Sequence, residues 1–456
     1  MKRNRLLVNV LLGLISLTGL LSCGQDRWPE YYPYTGRDLW IDSVMREEYL
    51  WYADMADFDD LNYFSAPATF LSNAKATNDS YSSVDTIDYT LDTGYGFDFS
   101  TSSANVNDTA YFAMVTYVIP DSPADEAGIE RGDWIMKVDG DYFTSKGDSV
   151  LEDGGSRALT LGRYTAYTET DSLGNETTDY EVVEDRTVTL PAVREVEDAV
   201  VLVSTIIDGS VGYLVYNSFD ADYDDELLAF ADLCASNGVS DVVIDLRYNT
   251  GGDMGSVELL AAMLAPTQAM GQVLASLEYN DLKTEKNRDI TFDADLLGSS
   301  SGLDLSTVYV LTSSTTAAAA EMLINCLDPY MDVVVIGRTT EGFYVATEDF
   351  SSDYYQWVLH LAVCYVYNAD GYSITSSGIS PYYSINHLSD PATVLPLGDP
   401  DEALLSIALD YINGNSSLDA KREQASSTLP AMLSTNNNNS GRSLMGRRAF
   451  KTGLRQ

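Results

Sequence analysis

Apolar and polar residues change their spacing twice along the chain. From about residue 28 to 84, large apolar side chains recur at the spacing of an amphipathic helix, which predicts one or two helices. From 85 to 195 they alternate every second residue, as in Tyr111–Val118, and predict a small β-rich domain. From 196 to 412 short apolar runs alternate with helical segments, and this order predicts an α/β core around a buried sheet.

The α/β region can be divided into individual elements. Its apolar runs predict strands over residues 211–216, 242–246, 308–311 and 333–336. Its amphipathic segments predict helices over residues 224–234 and 317–327. After residue 413 the sequence is rich in Ser and Asn and then basic, so we expect residues 413–456 to be disordered.

The first 23 residues have the pattern of a cleavable export signal. Basic residues precede an apolar stretch that is short for a membrane-spanning helix, and the string Leu-Leu-Ser-Cys ends at Cys23. That string resembles a bacterial lipoprotein box, in which the cysteine becomes the lipidated first residue. The alternative is an ordinary signal peptide with an incidental cysteine. We expect a bacterial envelope protein that is tethered by lipid on Cys23, on the periplasmic or the surface face of the outer membrane.

Composition narrows the classes of function. The 456 residues carry 26 basic and 69 acidic side chains, which argues against nucleic acid as a partner because phosphate binding needs clustered Lys and Arg. The chain has two histidines, and we expect no metal site and no cofactor. The acidic run Asp220–Glu226 could bind calcium, but such a run is more typical of a solvated helix start. Cys234, Cys326 and Cys364 lie on apolar stretches and are expected to be buried free thiols.

A string with glycine turns in the β-rich region resembles a PDZ domain. Residues 122–140 contain Ser-Pro-Ala-Asp-Glu-Ala-Gly-Ile, then Arg-Gly-Asp-Trp-Ile, then Val-Asp-Gly. The resemblance implies a glycine-bounded loop that binds the terminal carboxylate of a peptide, while the peptide adds a strand to the sheet edge. The candidate loop is Gly94, Tyr95, Gly96 and Phe97. The alternative is an aromatic strand start flanked by glycine turns.

Three motifs in the α/β region together resemble a known enzyme family. They are Asp-Leu-Arg-Tyr-Asn-Thr-Gly-Gly at 245–252, the stretch Leu311–Glu321, and Ile-Gly-Arg at 336–338. With the PDZ-like string, they resemble the C-terminal processing (tail-specific) peptidases, serine proteases with a PDZ domain and a Ser–Lys dyad. The resemblance covers residues 35 to 410. It implies an α/β core with a crotonase-like ββα spiral, a PDZ-like domain and a small N-terminal helical segment.

The same resemblance places the catalytic dyad on residues without catalytic groups. The nucleophile position is Ala318, the lysine position is Phe343, and the position of a glutamine that orients the lysine is Thr347. A Ser–Lys dyad needs a hydroxyl to attack and an amine to accept its proton. Alanine and phenylalanine supply neither, so no catalytic residue of the family is intact.

The glycine turn after the strand at 242–246 is a remaining candidate for binding. By the resemblance, Gly251, Gly252 and Ala319 provide the N–H groups of an oxyanion hole. Without a nucleophile, these groups could still bind a peptide carbonyl or carboxylate. The alternative is a strand–helix turn that serves packing alone.

Three functions remain open at this point. The favoured one is an inactive pseudoprotease that binds peptide or protein C-termini. The second is an active serine-type peptidase with a displaced nucleophile and base, for example Ser313 or Ser314 with His360 or His387, whereas Thr316 is expected to cap the following helix. The third is a non-catalytic partner of an active homologue.

Overall fold

The structure divides into two compact units. It is a computed structural model and describes residues 28–87, 93–103, 111–142, 151, 153–170, 173, 176–196 and 199–414. The first unit consists of residues 28–87 and Phe350–Leu361, and the second contains the other described residues. Among the described residues, no helix has both the length and the apolar character needed to cross a bilayer. Cys23 and the tail after residue 414 lie outside the described residues.

Both units contain helices and strands. The helices are α1 (Trp28–Glu48), α2 (Pro67–Ala74), α3 (Pro123–Glu126), α4 (Asp224–Asn237), α5 (Met254–Leu264), α6 (Ala319–Leu327) and α7 (Leu405–Ile412). The strands are β1 (Ser83–Thr86), β2 (Thr93–Gly94), β3 (Phe97–Ser103), β4 (Tyr111–Val118), β5 (Trp134–Val138), β6 (Asp141–Tyr142), β7 (Arg157–Thr170), β8 (Glu176–Leu190), β9 (Arg194–Glu195), β10 (Val201–Ile207), β11 (Val211–Tyr216), β12 (Asp241–Asp245), β13 (Val273–Tyr279), β14 (Arg288–Thr291), β15 (Thr307–Thr312), β16 (Asp332–Gly337), β17 (Val345–Ser352), β18 (Trp357–Asn368) and β19 (Tyr383–Ser384).

The first unit is mainly helical. Tyr49, which follows α1, is fully buried and ties α1 to the segment after α2. Its hydroxyl donates to Oδ2 of Asp79 at 2.7 Å and accepts the N–H of Ala76 at 3.2 Å. β1 pairs antiparallel with residues 357–360 of β18, so the domain boundary predicted at residue 85 divides a strand of this unit.

An antiparallel sheet forms the PDZ-like domain. Its strand order is β3-β4-β5-β7-β8, with β3 at one end and the short β6 beside β5. Side chains such as Phe97, Val115 and Ile135 form its buried core. α3 is one turn, and the hydroxyl of Ser122 caps it by accepting the N–H of Asp125 at 3.2 Å. β7 and β8 form a long hairpin that the sequence analysis did not single out.

The α/β core contains a mostly parallel sheet. Its order is β10-β11-β12-β15-β16-β19, in which β10 is antiparallel to β11 and the remaining pairs are parallel. β11 is buried along its whole length, as expected for a sheet covered on both faces. The carboxyl ends of β12, β15 and β16 lie at one edge, where Asp245, Thr312 and Gly337 are the last residues. Ligand sites of parallel sheets commonly lie at this edge.

A second sheet of the same unit contains β13, which pairs antiparallel with β14 and with residues 364–368 of β18.

Several predictions for the α/β core can be compared with the structure. Cys234, Cys326 and Cys364 are buried and free, as predicted. The four strands predicted for the core correspond to β11, β12, β15 and β16, with bounds shifted by about one residue at most. The helix predicted at 224–234 continues to Asn237, and Gly238 ends it in the left-handed conformation.

Candidate active site

The loop between β12 and α5 forms one side of a cleft at the carboxyl edge of the parallel sheet. Gly252 in this loop has a φ of 133°, and an added Cβ would lie 1.9 Å from the carbonyl oxygen of Phe219, so only glycine fits there. Oδ1 of Asn249 accepts the N–H of Gly251 at 2.8 Å, while its Nδ2 donates to the carbonyl of Tyr216 at 3.0 Å. The loop is therefore held at both of its sides.

The chain turns sharply at Ala318, between β15 and α6. The backbone of Ala318 has φ 54° and ψ −110°, which is strained for a residue with a Cβ and costs on the order of 1–3 kcal/mol. The preceding N–H, of Ala317, donates to the carbonyl of Asn249 at 3.1 Å. Because of this turn, α6 begins at Ala319 and not at residue 317 as predicted. A strained strand-to-helix turn is the arrangement of a nucleophile elbow, but the side chain of Ala318 is a methyl group.

A buried carboxylate, Glu321, joins this turn to the loop after β16. Oε2 accepts the N–H groups of Ala318 at 3.0 Å and Phe343 at 2.7 Å. Oε1 accepts the hydroxyl of Thr340 at 2.5 Å and the N–H of Gly342 at 2.8 Å. Burial raises the pKa of Glu321 above its ordinary value, while the four donated hydrogen bonds oppose that rise. Glu321 thus holds both loops in one arrangement, a role the sequence analysis missed.

Ala318 and Phe343 line the same pocket. It encloses about 320 Å³ including its open mouth. Its lining residues are mostly apolar and are Met254, Ala318, Met322, Asn325, Phe343, Tyr344, Val345, Val366 and Ile374. Of the three positions that the family resemblance assigns to the catalytic site, Ala318 and Phe343 therefore lie at the same pocket. Thr347 is buried in β17 and is not among the lining residues.

The hydroxyl groups before the turn are bound to backbone oxygens. Ser313 donates to the carbonyl of Arg247 at 2.5 Å, and Thr315 donates to the same oxygen at 3.1 Å. Thr316 donates to the carbonyl of Leu246 at 2.8 Å and accepts the N–H of Ser313. Thr316 therefore does not cap α6, because its hydroxyl ties the β15 loop to the β12 loop instead.

Among the described residues, none of these hydroxyls is bonded to a lysine or a histidine. Ser314, the other serine considered, makes no hydrogen bond with the residues that the structure describes. His387 is buried in the loop after β19, and His360 lies in β18. The displaced Ser–His pairs considered from the sequence are thus not formed at this cleft.

Two backbone N–H groups of the cleft are free to bind. Within the described part of the chain, the N–H groups of Gly252 and Ala319 donate to no acceptor, whereas that of Gly251 is used by Asn249. Ala319 is the first residue of α6, where N–H groups have no partner inside the helix. Two of the three candidate oxyanion donors therefore keep a free hydrogen.

A buried network of ion pairs lies at the carboxyl end of β12 and fixes the start of the loop that follows it. Arg247 is fully buried, and its guanidinium contacts Asp245 at 2.7 Å and both oxygens of Glu402 at 2.5 and 2.9 Å. Burial would raise the pKa of Glu402, but the charges of Arg247 and Arg131 hold it well below its usual range. The network connects residues 155 positions apart, so the motif at 245–252 gave no sign of its partner.

The fold of this chain is similar to that of a solved structure. The chain is 44% identical to a Bacteroides fragilis NCTC 9343 protein, assigned to the S41 proteases, whose crystal structure it matches over 82% of this chain and 97% of that one, with a TM-score of 0.76. The chain belongs to the S41 peptidase family. Residues 210–385 match the profile "Peptidase family S41", residues 38–83 "Peptidase S41 N-terminal domain", and residues 114–153 "PDZ domain".

Curated S41 relatives are more distant. The chain is 26% identical over 310 residues to "Probable CtpA-like serine protease" of Staphylococcus aureus (strain COL). It is 27% identical over 301 residues to "Carboxy-terminal processing protease CtpA" of Bacillus subtilis (strain 168). These matches cover 65% and 64% of this chain, and 56% and 57% of the relatives. The match therefore spans little more than half the length of each relative.

The predicted carboxylate loop of this S41 chain lies at the edge of the PDZ-like sheet. Tyr95 and Phe97 are fully buried in the core of that domain. Their side chains therefore have the packing role expected of an aromatic strand start, which was the alternative to a binding loop. The carbonyl of Tyr95 accepts the N–H of Ala124 at 2.9 Å, and that of Gly96 accepts the N–H of Ile119 at 2.7 Å. The N–H groups of Tyr95 and Gly96 donate to none of the described residues.

Two carboxylates of the acidic run Asp220–Glu226 accept hydrogen bonds from the protein. Asp220 caps a short 3₁₀ turn by accepting the N–H of Asp222, and Asp224 accepts the hydroxyl of Ser256 at 2.6 Å. In the described ranges, no group of three or more His, Cys, Asp or Glu side chains is arranged to hold a metal ion.

Proposed function

We propose that this S41 chain is an inactive peptidase that binds peptide or protein C-termini and is attached to the cell envelope by lipid on Cys23. One observation carries the loss of hydrolysis. The strained turn at Ala318 has the backbone of a nucleophile elbow, yet its side chain has no atom that can attack a carbonyl. Loss of a nucleophile alone costs on the order of 10⁶ in turnover.

The residue at the position of the family's base supports the same proposal. In the family, a lysine lies at the position of Phe343, whose phenyl group lines the pocket beside Ala318. Arg338 follows β16, but a guanidinium group does not serve as a general base. The hydroxyls of Ser313, Thr315 and Thr316 donate to backbone carbonyls instead.

Peptide binding is supported by the donors that remain. Among the described residues, the N–H groups of Gly252 and Ala319 have no acceptor. Gly252 lies two residues before Met254 and Ala319 follows Ala318, and both Met254 and Ala318 line the apolar pocket, so a carbonyl or carboxylate could be bound there. In the PDZ-like domain, the N–H groups of Tyr95 and Gly96, next to the edge strand β3, donate to none of the residues that the structure describes. Such donors bind an extended peptide without any chemical step.

The experiment restores the family residues. Purified protein is incubated with an unstructured polypeptide, and new termini are sought by mass spectrometry. We expect no cleavage by the wild type and cleavage by the double variant Ala318→Ser with Phe343→Lys, with or without Thr347→Gln. Ala318→Ser alone is the matched control, because it has a hydroxyl without a base.

Cleavage by the wild type would overturn the proposal. If that activity were lost in Ser313→Ala or Ser314→Ala, the chain would instead be an active peptidase with a displaced nucleophile. Binding is tested separately with fluorescent peptides that differ only in a free or an amidated C-terminus. Equal affinity for both peptides would argue against recognition of C-termini.

The lipid anchor has its own test. Wild-type protein and Cys23→Ala are expressed in a bacterial host with radiolabelled palmitate and separated into membrane and soluble fractions. We expect label and membrane association in the wild type alone. Equal fractionation of the two proteins would contradict the anchor and leave the peptide-binding proposal untouched.

A further inference from the structure

The PDZ-like domain packs on the α/β core through a small apolar cluster. Met114 and Trp134 from the PDZ-like sheet contact Leu388 and Val394 from the loop after β19. The backbone approach is close as well, since Gly132 has a φ of 87° and an added Cβ would lie 2.8 Å from the carbonyl oxygen of Val394. We call residues 386–395 the docking segment.

A polar contact runs beside this cluster. Arg131 of the PDZ-like domain donates to the hydroxyl of Tyr248 at 2.5 Å, to the carbonyl of Leu395 at 2.8 Å and to Glu402 at 3.1 Å. It also donates to the carbonyl of Thr116 in its own domain. The docked arrangement thus buries charged groups from both sides.

His387, in the docking segment, is an unsatisfied titratable group beside this interface. Its side chain is 4% exposed, and both ring nitrogens lack a hydrogen-bond partner among the described residues. The ring lies edge-on to Tyr248, with 6.0 Å between the ring centroids. The next residue, Leu388, packs against the PDZ-like domain. The imidazole is therefore enclosed while the domain is docked.

The charges around this ring favour its neutral form. Among the described residues, the charges of Arg247, Arg131 and Arg338 act on the ring against its protonation. The carboxylate of Glu402 opposes them, but it is paired with Arg131 and Arg247. Burial first, and then these arginines, hold the pKa of His387 well below its ordinary value.

We propose that His387 makes the docking of the PDZ-like domain on the core sensitive to pH. The docked form encloses a neutral imidazole between arginines, and the undocked form exposes the ring to water and removes Arg131 from it. A proton is therefore bound on undocking, and acid favours the undocked form. The apolar cluster has no titratable group, and the charges of Arg247 and Arg131 hold the pKa of Glu402 well below its usual range.

The size of the effect follows from the exposed form. An exposed imidazole with a pKa of about 6.5 weakens docking about tenfold between pH 7.5 and pH 5.5, provided that the docked form stays neutral. Below pH 5.5 each further pH unit weakens docking by about another factor of ten.

Hydrogen exchange on the full chain tests this proposal. Protection factors, corrected for intrinsic exchange at each pH, are measured for the docking segment and for β12 as an internal reference. We expect protection of the docking segment relative to β12 to fall about tenfold from pH 7.5 to 5.5. In His387→Phe, which cannot titrate and leaves no hydrogen bond broken, we expect a change of less than about twofold. The chain has one other histidine, so His360→Phe is the matched control and should behave as the wild type.

Two results would overturn the proposal. One is the same pH response in wild type and His387→Phe, and the other is an equal loss of protection in β12, which would indicate general acid unfolding. If His387→Phe fails to fold, the wild type still decides. With ¹³C-labelled histidine, one of the two imidazole signals should stay neutral down to pH 5.5, and ordinary titration of both would refute the proposal.

Discussion

At the residue scale, Ala318 combines a strained backbone with an inert side chain. A φ of 54° is uncommon outside glycine, and alanine is the residue with the strongest preference for helix. Nothing in a run of four alanines indicates such a turn, which is why the sequence predicted a helix from residue 317. The strain persists because Asn249 and Glu321 bind the backbone on either side.

Replacing Ala318 by glycine should therefore stabilise the protein. Glycine removes backbone strain of about 1–3 kcal/mol. It also raises the conformational entropy of the unfolded chain, which lowers stability by about 0.4–1 kcal/mol, so we expect a net gain of about 1 kcal/mol in the free energy of unfolding. The matched control is Ala229→Gly on the exposed face of α4, which should lose about 1 kcal/mol. Urea titration followed by circular dichroism measures both, and a loss in both variants would contradict the strain.

Asp38 in α1 predicts a dependence of stability on pH. Both of its oxygens are buried without a partner among the described residues, and burial raises its pKa to about 6, with Arg37 opposing. A raised carboxyl pKa means that the folded state favours the protonated form. The contribution of the protonated Asp38 carboxyl to the free energy of unfolding is thus complete below about pH 4 and is lost as the pH rises through 6.

Asp38→Asn should remove this dependence. Relative to the wild type, its free energy of unfolding should rise by up to about 3 kcal/mol between pH 4 and pH 7.5, measured by urea titration at each pH. Asp42→Asn in the same helix is the control, because Asp42 is paired with Arg46 and the loss of this ion pair should destabilise the protein. A pH-independent difference between Asp38→Asn and wild type would show that the carboxyl is solvated.

At the scale of elements, Glu321 is the residue that gives the cleft its shape. The loops after β15 and β16 touch through its two oxygens, which receive four donors. In Glu321→Gln one oxygen becomes an NH₂ group facing two donors, so we expect a loss of about 3 kcal/mol in the free energy of unfolding. The exposed Glu285→Gln should stay within about 0.5 kcal/mol by the same urea titration. A loss below about 1 kcal/mol in Glu321→Gln would mean that the loops are held by other contacts.

The elements themselves were largely predictable, and the contacts between them were not. Apolar runs located β11, β12, β15 and β16 because a strand buried on both faces must be apolar. The motif spacing also brought Ala318 and Phe343 to one pocket. The pairing of Arg247 with Glu402 left no trace in the sequence, because ion pairs between distant residues have no periodicity. Thr316 was wrongly expected to cap a helix, since its hydroxyl was needed to bind another loop.

At the scale of the second unit, the docking of the PDZ-like domain rests on a glycine. Gly132 and Gly140 both have positive φ, at 87° and 94°, but only Gly132 has a backbone oxygen within reach of an added Cβ. Both alanine variants have a strained backbone at positive φ. In Gly132→Ala the new Cβ would also lie too close to the carbonyl oxygen of Val394. We expect Gly132→Ala to lose roughly 1–2 kcal/mol more than Gly140→Ala and to lower hydrogen-exchange protection of the docking segment. Equal effects of the two variants would mean that Val394 moves aside at no cost.

The contacts of Arg131 also bear on how this protein can be truncated. Excising the PDZ-like insertion would take away one of the two guanidinium groups that neutralise Glu402 and uncover Leu388 and Val394. A bared apolar patch beside an undercompensated carboxylate favours self-association. A truncated protein that lacks the PDZ-like domain should therefore carry polar replacements at Leu388 and Val394. Without these replacements, the full chain is the better choice.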